Sequence, residues 1–177
     1  MQDAARQLLM HAVIPLWIAA GLADWWCHRR TRIETTSGLA ENLFHWVLLA
    51  QGGVAVLAAC LLEANGFVLL LVAGVFLAHE ATTFLELRYT VPRRDVRPGE
   101  QMVHSLLEIL PLALLLLLAV TGWERAADFG PKWKSAPWPP AYLAGVLAAV
   151  ALCNLLPMAE ETRRCLRSRI PARPGST

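Results

Sequence analysis

None of the four cysteines stands at a metal-binding spacing from another: Cys27, Cys60, Cys153 and Cys165 form no C-x-x-C pair or comparable motif. That absence argues against a soft thiolate site and leaves the cysteines as small buried hydrophobes. Cys27 and Cys165 are also expected on a reducing side, where disulfides are rare. Charge is scarce too. Only 17% of the residues are charged and the net charge is +2, so nothing in the composition offers a surface for nucleic acid. There is no strict internal repeat. What fills the space is apolar: 56% of the chain is hydrophobic, too much for an ordinary soluble domain.

The apolar residues fall into five runs, at 8–26, 39–62, 66–87, 102–123 and 141–158. Each is close to the ~20 residues that cross a bilayer as a helix, and Arg-rich or Gly/Pro/Asn-rich breaks separate them. The reading is an all-α integral membrane domain of five transmembrane helices over residues 1–162, followed by a basic, proline-containing tail, 163–177. A cleaved leader is the alternative for the first run, since Ala20 and Ala23 imitate a cleavage site, but its n-region carries only Arg6. Residues 1–7 are expected to lie along the interface.

Arginine and lysine set the orientation. Arg29, Arg30, Arg32, Arg88, Arg93, Arg94, Arg97, Arg163, Arg164, Arg167, Arg169 and Arg173 fall on one side if the runs alternate; Arg6, Arg125, Lys132 and Lys134 fall on the other. By the positive-inside rule the first group is cytoplasmic. The expectation is a bacterial-type inner membrane protein with its N-terminus outside and its C-terminus in the cytoplasm.

Against this greasy background one layer of ionisable residues stands out. Asp24 and His28 end the first run, and Glu41 and His45 open the second. His79, Glu80 and Glu86 close the third, and His104 and Glu108 open the fourth. Four-residue spacing puts both members of a pair on one helix face. Alternating topology puts all nine at the cytoplasmic ends of their helices, at one depth. Ionisable groups in hydrocarbon are expensive and mark function by default. Imidazole mixed with carboxylate is the donor set of iron, manganese and zinc. A structural network of helix-end pairs or a proton relay are the alternatives; the network explains poorly why the partners are His rather than Lys or Arg.

These donors exceed what one tetrahedral ion needs. On the third run His79 and Glu86 share a face with Thr83 between them, whereas Glu80 points ~100° away; both glutamates stay candidates. Glu34, Glu100, Gln101 and Thr83 are expected to support the ligands, since a ligating His donates its other N–H to such a group. For Glu34 a pairing with a neighbouring arginine is the preferred alternative. Arg88, Arg93 and Arg94 lie over the same face, as contacts to an anionic headgroup or as ordinary positive-inside charge. His11, ~20 Å from the layer, stands apart. The fifth run carries Asn154 and no His, and reads as a packing helix. Glu160 and Glu161 at its exit, beside Arg163 and Arg164, read as a solvated charge cluster. Gln51-Gly52-Gly53 reads as a place of close helix packing.

The pairs Asp24/His28, Glu41/His45 and His104/Glu108, projecting from facing helices, resemble the di-iron carboxylate four-helix-bundle proteins over the first four runs. The resemblance implies a four-helix metal-binding bundle, two transition-metal ions with iron favoured, an oxidoreductase of hydroxylase, desaturase or oxidase type, a lipophilic substrate and an electron donor. Four His where that pattern has two leaves zinc or manganese open. With zinc, the chain would be a dinuclear hydrolase of a lipid ester or phosphoester; a non-enzymatic metal-binding protein is the third reading.

Overall fold

The computed structural model describes residues 2–168; of the expected tail, 163–168 continue the last helix, and Arg169, Arg173 and the other residues of 169–177 lie outside the described residues. The described chain is all-helical, with five helices long and apolar enough to cross a membrane. They are α1 (Gln2–Thr31), α2 (Gly38–Leu61), α3 (Gly66–Thr90), α4 (Pro98–Arg125) and α5 (Pro140–Ser168). Every helix except α2 outruns the apolar stretch that announced it. α1 begins at Gln2, so the expected interfacial tail is the first turns of the helix, and Ala5 is buried there. At the other ends the polar residues stay helical because they find partners inside the molecule.

Local chemistry sets the boundaries. α1 stops where Arg32 turns left-handed at φ 55°. Asn65 caps α3, its side chain accepting from Val68 N–H at 3.1 Å. Prolines at the first turns of α4 and α5 (Pro98 and Pro140) start helices where an N–H has no intrahelical partner. α1 and α5 each contain one wide turn of π type, Leu9–Val13 and Ala151–Leu155.

The helices close into a ring. α1 packs on α4, α4 on α3, α3 on α2, α2 on the last part of α5, and α5 back on α1. Consecutive α1 and α2 are therefore not a directly packed hairpin. The expected outlying helix, α5, is wedged between them. One end of the ring holds the apolar core, built by Leu9 and Ile14 of α1, Ala55 and Ala59 of α2, Val68 and Val72 of α3, and Leu114 and Leu118 of α4. The other end holds the polar layer. Leu70, Leu77, Leu116 and Leu147 point outward and are more than half exposed, as a lipid-contacting surface requires.

The turn after α2 and residues 126–139 cover the apolar end. Glu63 N–H donates to the Lys132 carbonyl (2.8 Å) and Lys134 N–H to that of Leu61 (2.9 Å), while Trp138 is buried and Trp133 is exposed. The Glu63 carboxylate accepts from Ser135 backbone and hydroxyl at 2.7 and 2.8 Å, which holds its pKa below the ordinary value. Burial pushes the Lys134 ammonium below its ordinary value.

The Gly52-Gly53 pair behaves unevenly. A Cβ on Gly52 would stand 3.1 Å from the Trp17 ring, a true close approach, whereas one on Gly53 would meet nothing within 4 Å. Gly53 borders open space. Tighter still is Gly66, where a Cβ would fall 2.1 Å from the Ala126 carbonyl oxygen. Gly66→Ala is expected to destabilise the protein by about 1–3 kcal/mol, the usual cost of overpacking. Gly145→Ala, with nothing within 4 Å, should leave stability unchanged. Thermal unfolding of the two variants in detergent checks the pair.

Candidate metal centre

Three overlapping groups of side chains bring ligand atoms within 4.8 Å of one another: Asp24, His28 and His45; His28, Glu100 and His104; Glu41, His45 and Glu86. His28 and His45 each belong to two groups, so the seven residues form one continuous cluster drawn from α1, α2, α3 and α4. All seven are buried.

The cluster is held by a residue of α5. Glu161, 1% exposed, accepts from His28 Nδ1 at 3.1 Å, from His45 Nδ1 at 3.4 Å and from Asn42 Nδ2 at 2.9 Å. The two imidazoles lie stacked, with centroids 4.4 Å apart and planes 11° from parallel. A carboxylate fixes both rings through Nδ1, and the Nε2 atoms therefore face the other way. This is the usual means of orienting a ligating histidine. Asn42 is itself placed by Thr162, whose hydroxyl donates to Asn42 Oδ1 at 2.8 Å and receives Trp46 Nε1–H at 2.9 Å.

His28 Nε2 then faces Asp24 Oδ1 at 3.3 Å, Glu100 Oε1 at 3.5 Å and Glu41 Oε1 at 3.9 Å. It is buried and has no hydrogen-bond partner among the described residues. A ring nitrogen whose partner atom carries the proton presents a lone pair here, aimed at three carboxylate oxygens. Only a cation between them, a proton or a metal ion, makes that arrangement favourable. Close by, His104 Nε2 lies 3.0 Å from Asp24 Oδ1. Glu86 accepts from the Thr90 hydroxyl at 2.7 Å.

One guanidinium enters from the loop between α3 and α4. Arg94 is buried and donates to both Glu41 and Glu100; its Nε lies 3.1 Å from Glu41 Oε2 and its Nη1 3.0 Å from Glu100 Oε2. Burial opposes its charge, but the bonds to Glu41 and Glu100 outweigh that and raise its pKa above the ordinary arginine value. The Ser37 hydroxyl also donates to Glu41, so Ser37 serves the cluster and not the helix cap.

Several expectations change at this point. Arg94 is no free headgroup contact, because two carboxylates consume its donors. Arg93 lies over the Tyr89 ring at 3.8 Å and Arg88 over Phe84 at 5.9 Å. Glu161 is no part of a solvated cluster, and α5 is no mere packing helix; only Glu160 pairs outward, with Arg29 (3.1 Å) and Arg164 (3.0 Å). Glu100, expected as support, lies inside the cluster. Glu34 pairs with Arg164 of α5 and not with the layer. Gln101 is exposed. His79 is buried, and Thr83 and Glu108 are half-buried; all three line the cavity described below, outside the three groups. Glu80 is half-buried, outside the groups as well, and its Oε1 has no partner among the described residues.

A cavity of about 380 Å³ runs from the cluster along the axis of the ring. Asp24, His28, His45 and Glu161 form its polar end; Leu48, Val56, Leu143 and Val146 belong to its apolar length.

Glu161→Gln is expected to cost several kcal/mol, because it leaves two buried imidazoles without their acceptor. Glu160→Gln, in a partly exposed pair, should cost about 1 kcal/mol or less. Chemical unfolding of both variants in detergent measures the difference. Protein-family models, curated proteins and solved structures were all compared with the chain, and none matches it.

Proposed function

We propose that the cluster is a dinuclear metal centre near the cytoplasmic face of a membrane enzyme. We further propose that this enzyme is an oxidoreductase of hydroxylase, desaturase or oxidase type acting on a lipophilic substrate. The observation that carries the reading is the buried, unpartnered His28 Nε2 aimed at three carboxylate oxygens. Charge supports it. Asp24, Glu41, Glu86, Glu100 and Glu161 are five buried carboxylates against the single buried guanidinium of Arg94. The formal excess is four negative charges, which two divalent ions neutralise while the histidines stay neutral, as ligands must.

Asp24, Glu41, Glu86 and Glu100 with His28, His45 and His104 are the residues that would hold the ions. The donor set is nitrogen and oxygen without sulfur, which suits iron, manganese or zinc; iron is the favoured pair. Bound there, two iron ions would supply the oxidation of a C–H bond by dioxygen, with the electrons coming from a separate donor. The protein's own part is separable from that chemistry. Glu161 keeps the Nδ1 protons of His28 and His45 in place and turns Nε2 toward the ions. Arg94 closes the layer on the loop side and keeps Glu41 and Glu100 from swinging out to water. The apolar cavity keeps water away and receives the substrate. The arginine excess on that loop side supports its lying in the cytoplasm.

The hydrolase alternative drew on arginines free to bind a headgroup, and Arg94 has other partners. A carrier would need a polar path beyond the layer, and the cavity continues in apolar side chains.

The purified full-length protein is expected to carry about two equivalents of transition metal per chain by elemental analysis. Singly, His45→Ala and His104→Ala should each lower that content by at least half. His11→Ala, at an exposed residue edge-on to Tyr142, should leave it unchanged. Full metal in both inner variants would overturn the reading.

A further inference from the structure

The cavity has a side entrance. α5 packs on α2 mainly through its last part; its first part, Pro140–Val150, packs on α1 and has no buried residue. A gap is left between that part and the middle of α2. Leu57 of α2 and Leu147 of α5 both line the cavity and are 49% and 61% exposed, so they stand at a mouth on the lipid-contacting flank. At the polar end His79, Thr83, Glu86, His104 and Glu108 join the lining; past them it carries no charged side chain, and Asn154 and Cys60 are the polar exceptions among the described residues. Asn154 is itself engaged, donating to the Ile18 carbonyl at 3.2 Å.

Dimensions narrow the occupant. The stretch of α2 from His45 to Cys60 follows the cavity over about 22 Å of helix. A volume of about 380 Å³ over that length has the elongated shape of an extended hydrocarbon chain. Gly53 keeps the channel open at mid-length, since a side chain there would project into empty space.

We infer that the cavity takes a single acyl chain of a membrane lipid, which enters sideways between α2 and the first part of α5 and lies with one stretch against Asp24, His28, His45 and Glu161. As a statement about substrate this rests on the metal-centre reading; as a statement about the occupant it does not. An uncharged, flexible chain already dissolved in the bilayer needs no passage through water, and the mouth opens where such chains are. The polar layer closes the far end and sets how deep the chain reaches.

The test uses the full chain in phosphatidylcholine vesicles doped with a phosphatidylcholine bearing a photoactivatable diazirine on one acyl chain. After irradiation, cross-links are mapped by mass spectrometry. Trp17, Ile18 and Leu49, which are half-buried and line the cavity, should be labelled. Gly53→Leu should reduce that labelling at least ten-fold with metal content unchanged, and should fold, because leucine favours a helix over glycine. Gly74→Leu, on the exposed face of α3, should label as the wild type. Should Gly53→Leu not fold, Leu57→Trp at the mouth is expected to give the same loss. A diazirine sterol should not label the three residues. Wild type unlabelled at these positions, labelling that survives both blocking variants, or labelling by the sterol overturns the inference. Labelling as expected in a protein free of metal upholds the occupant and overturns the metal centre; metal without labelling does the reverse.

Discussion

Five carboxylates packed inside an apolar bundle repel one another, and hydrocarbon offers no water to relieve them. Most of the architecture follows from that constraint. Arg94 is drawn in from its loop to lie between Glu41 and Glu100. His28 and His45 stack and share Glu161, which commits their protons to one side and their lone pairs to the other. The charge that remains on the second side is what a pair of metal ions would neutralise. Protonated imidazoles would also neutralise most of it, but they would leave His28 Nε2 without a geometrically good acceptor; its nearest carboxylate oxygen is 3.3 Å away.

The ring order serves the same end. If α1 and α2 packed directly, their polar ends would meet with no place for a carboxylate behind both imidazoles. Inserting α5 supplies one, because Glu161, Thr162 and Met158 project into the interface with α2. The same insertion splays α5 from α2 farther up, which opens the cavity and its mouth. Positioning the histidines and leaving an open apolar cavity are two results of one placement.

Much of this was legible in the sequence. The five spans were, since long apolar runs admit few other folds, although four of the helices extend beyond their runs. The four-residue pairs placed Asp24, His28, Glu41, His45 and His104 at one depth on inward faces, and the structure brings them together with Glu86. Depth follows from residue number. The rotation of each helix about its axis does not, and that is why His79, Glu80 and Glu108 lie at a suitable depth but outside the cluster. Glu161 was hidden by its neighbours, Arg163 and Arg164, which suggested solvent. A signal existed: Asn154, Met158 and Glu161 recur at helical spacing on one face, continuing inward where the apolar run ends. Asn42 gave no signal of its own beside Glu41. The ring order was not readable, because the short loop between α1 and α2 implies neighbours and the partner that separates them comes last in the chain.

The central claim is that these side chains hold two metal ions side by side, and X-ray absorption at the metal K-edge tests it most directly. In full-length protein purified without chelators, the spectrum should show a first shell of nitrogen and oxygen only, with a second metal at about 3.5–4 Å. A shell containing sulfur, an isolated ion with no metal neighbour, or no metal edge at all would contradict it.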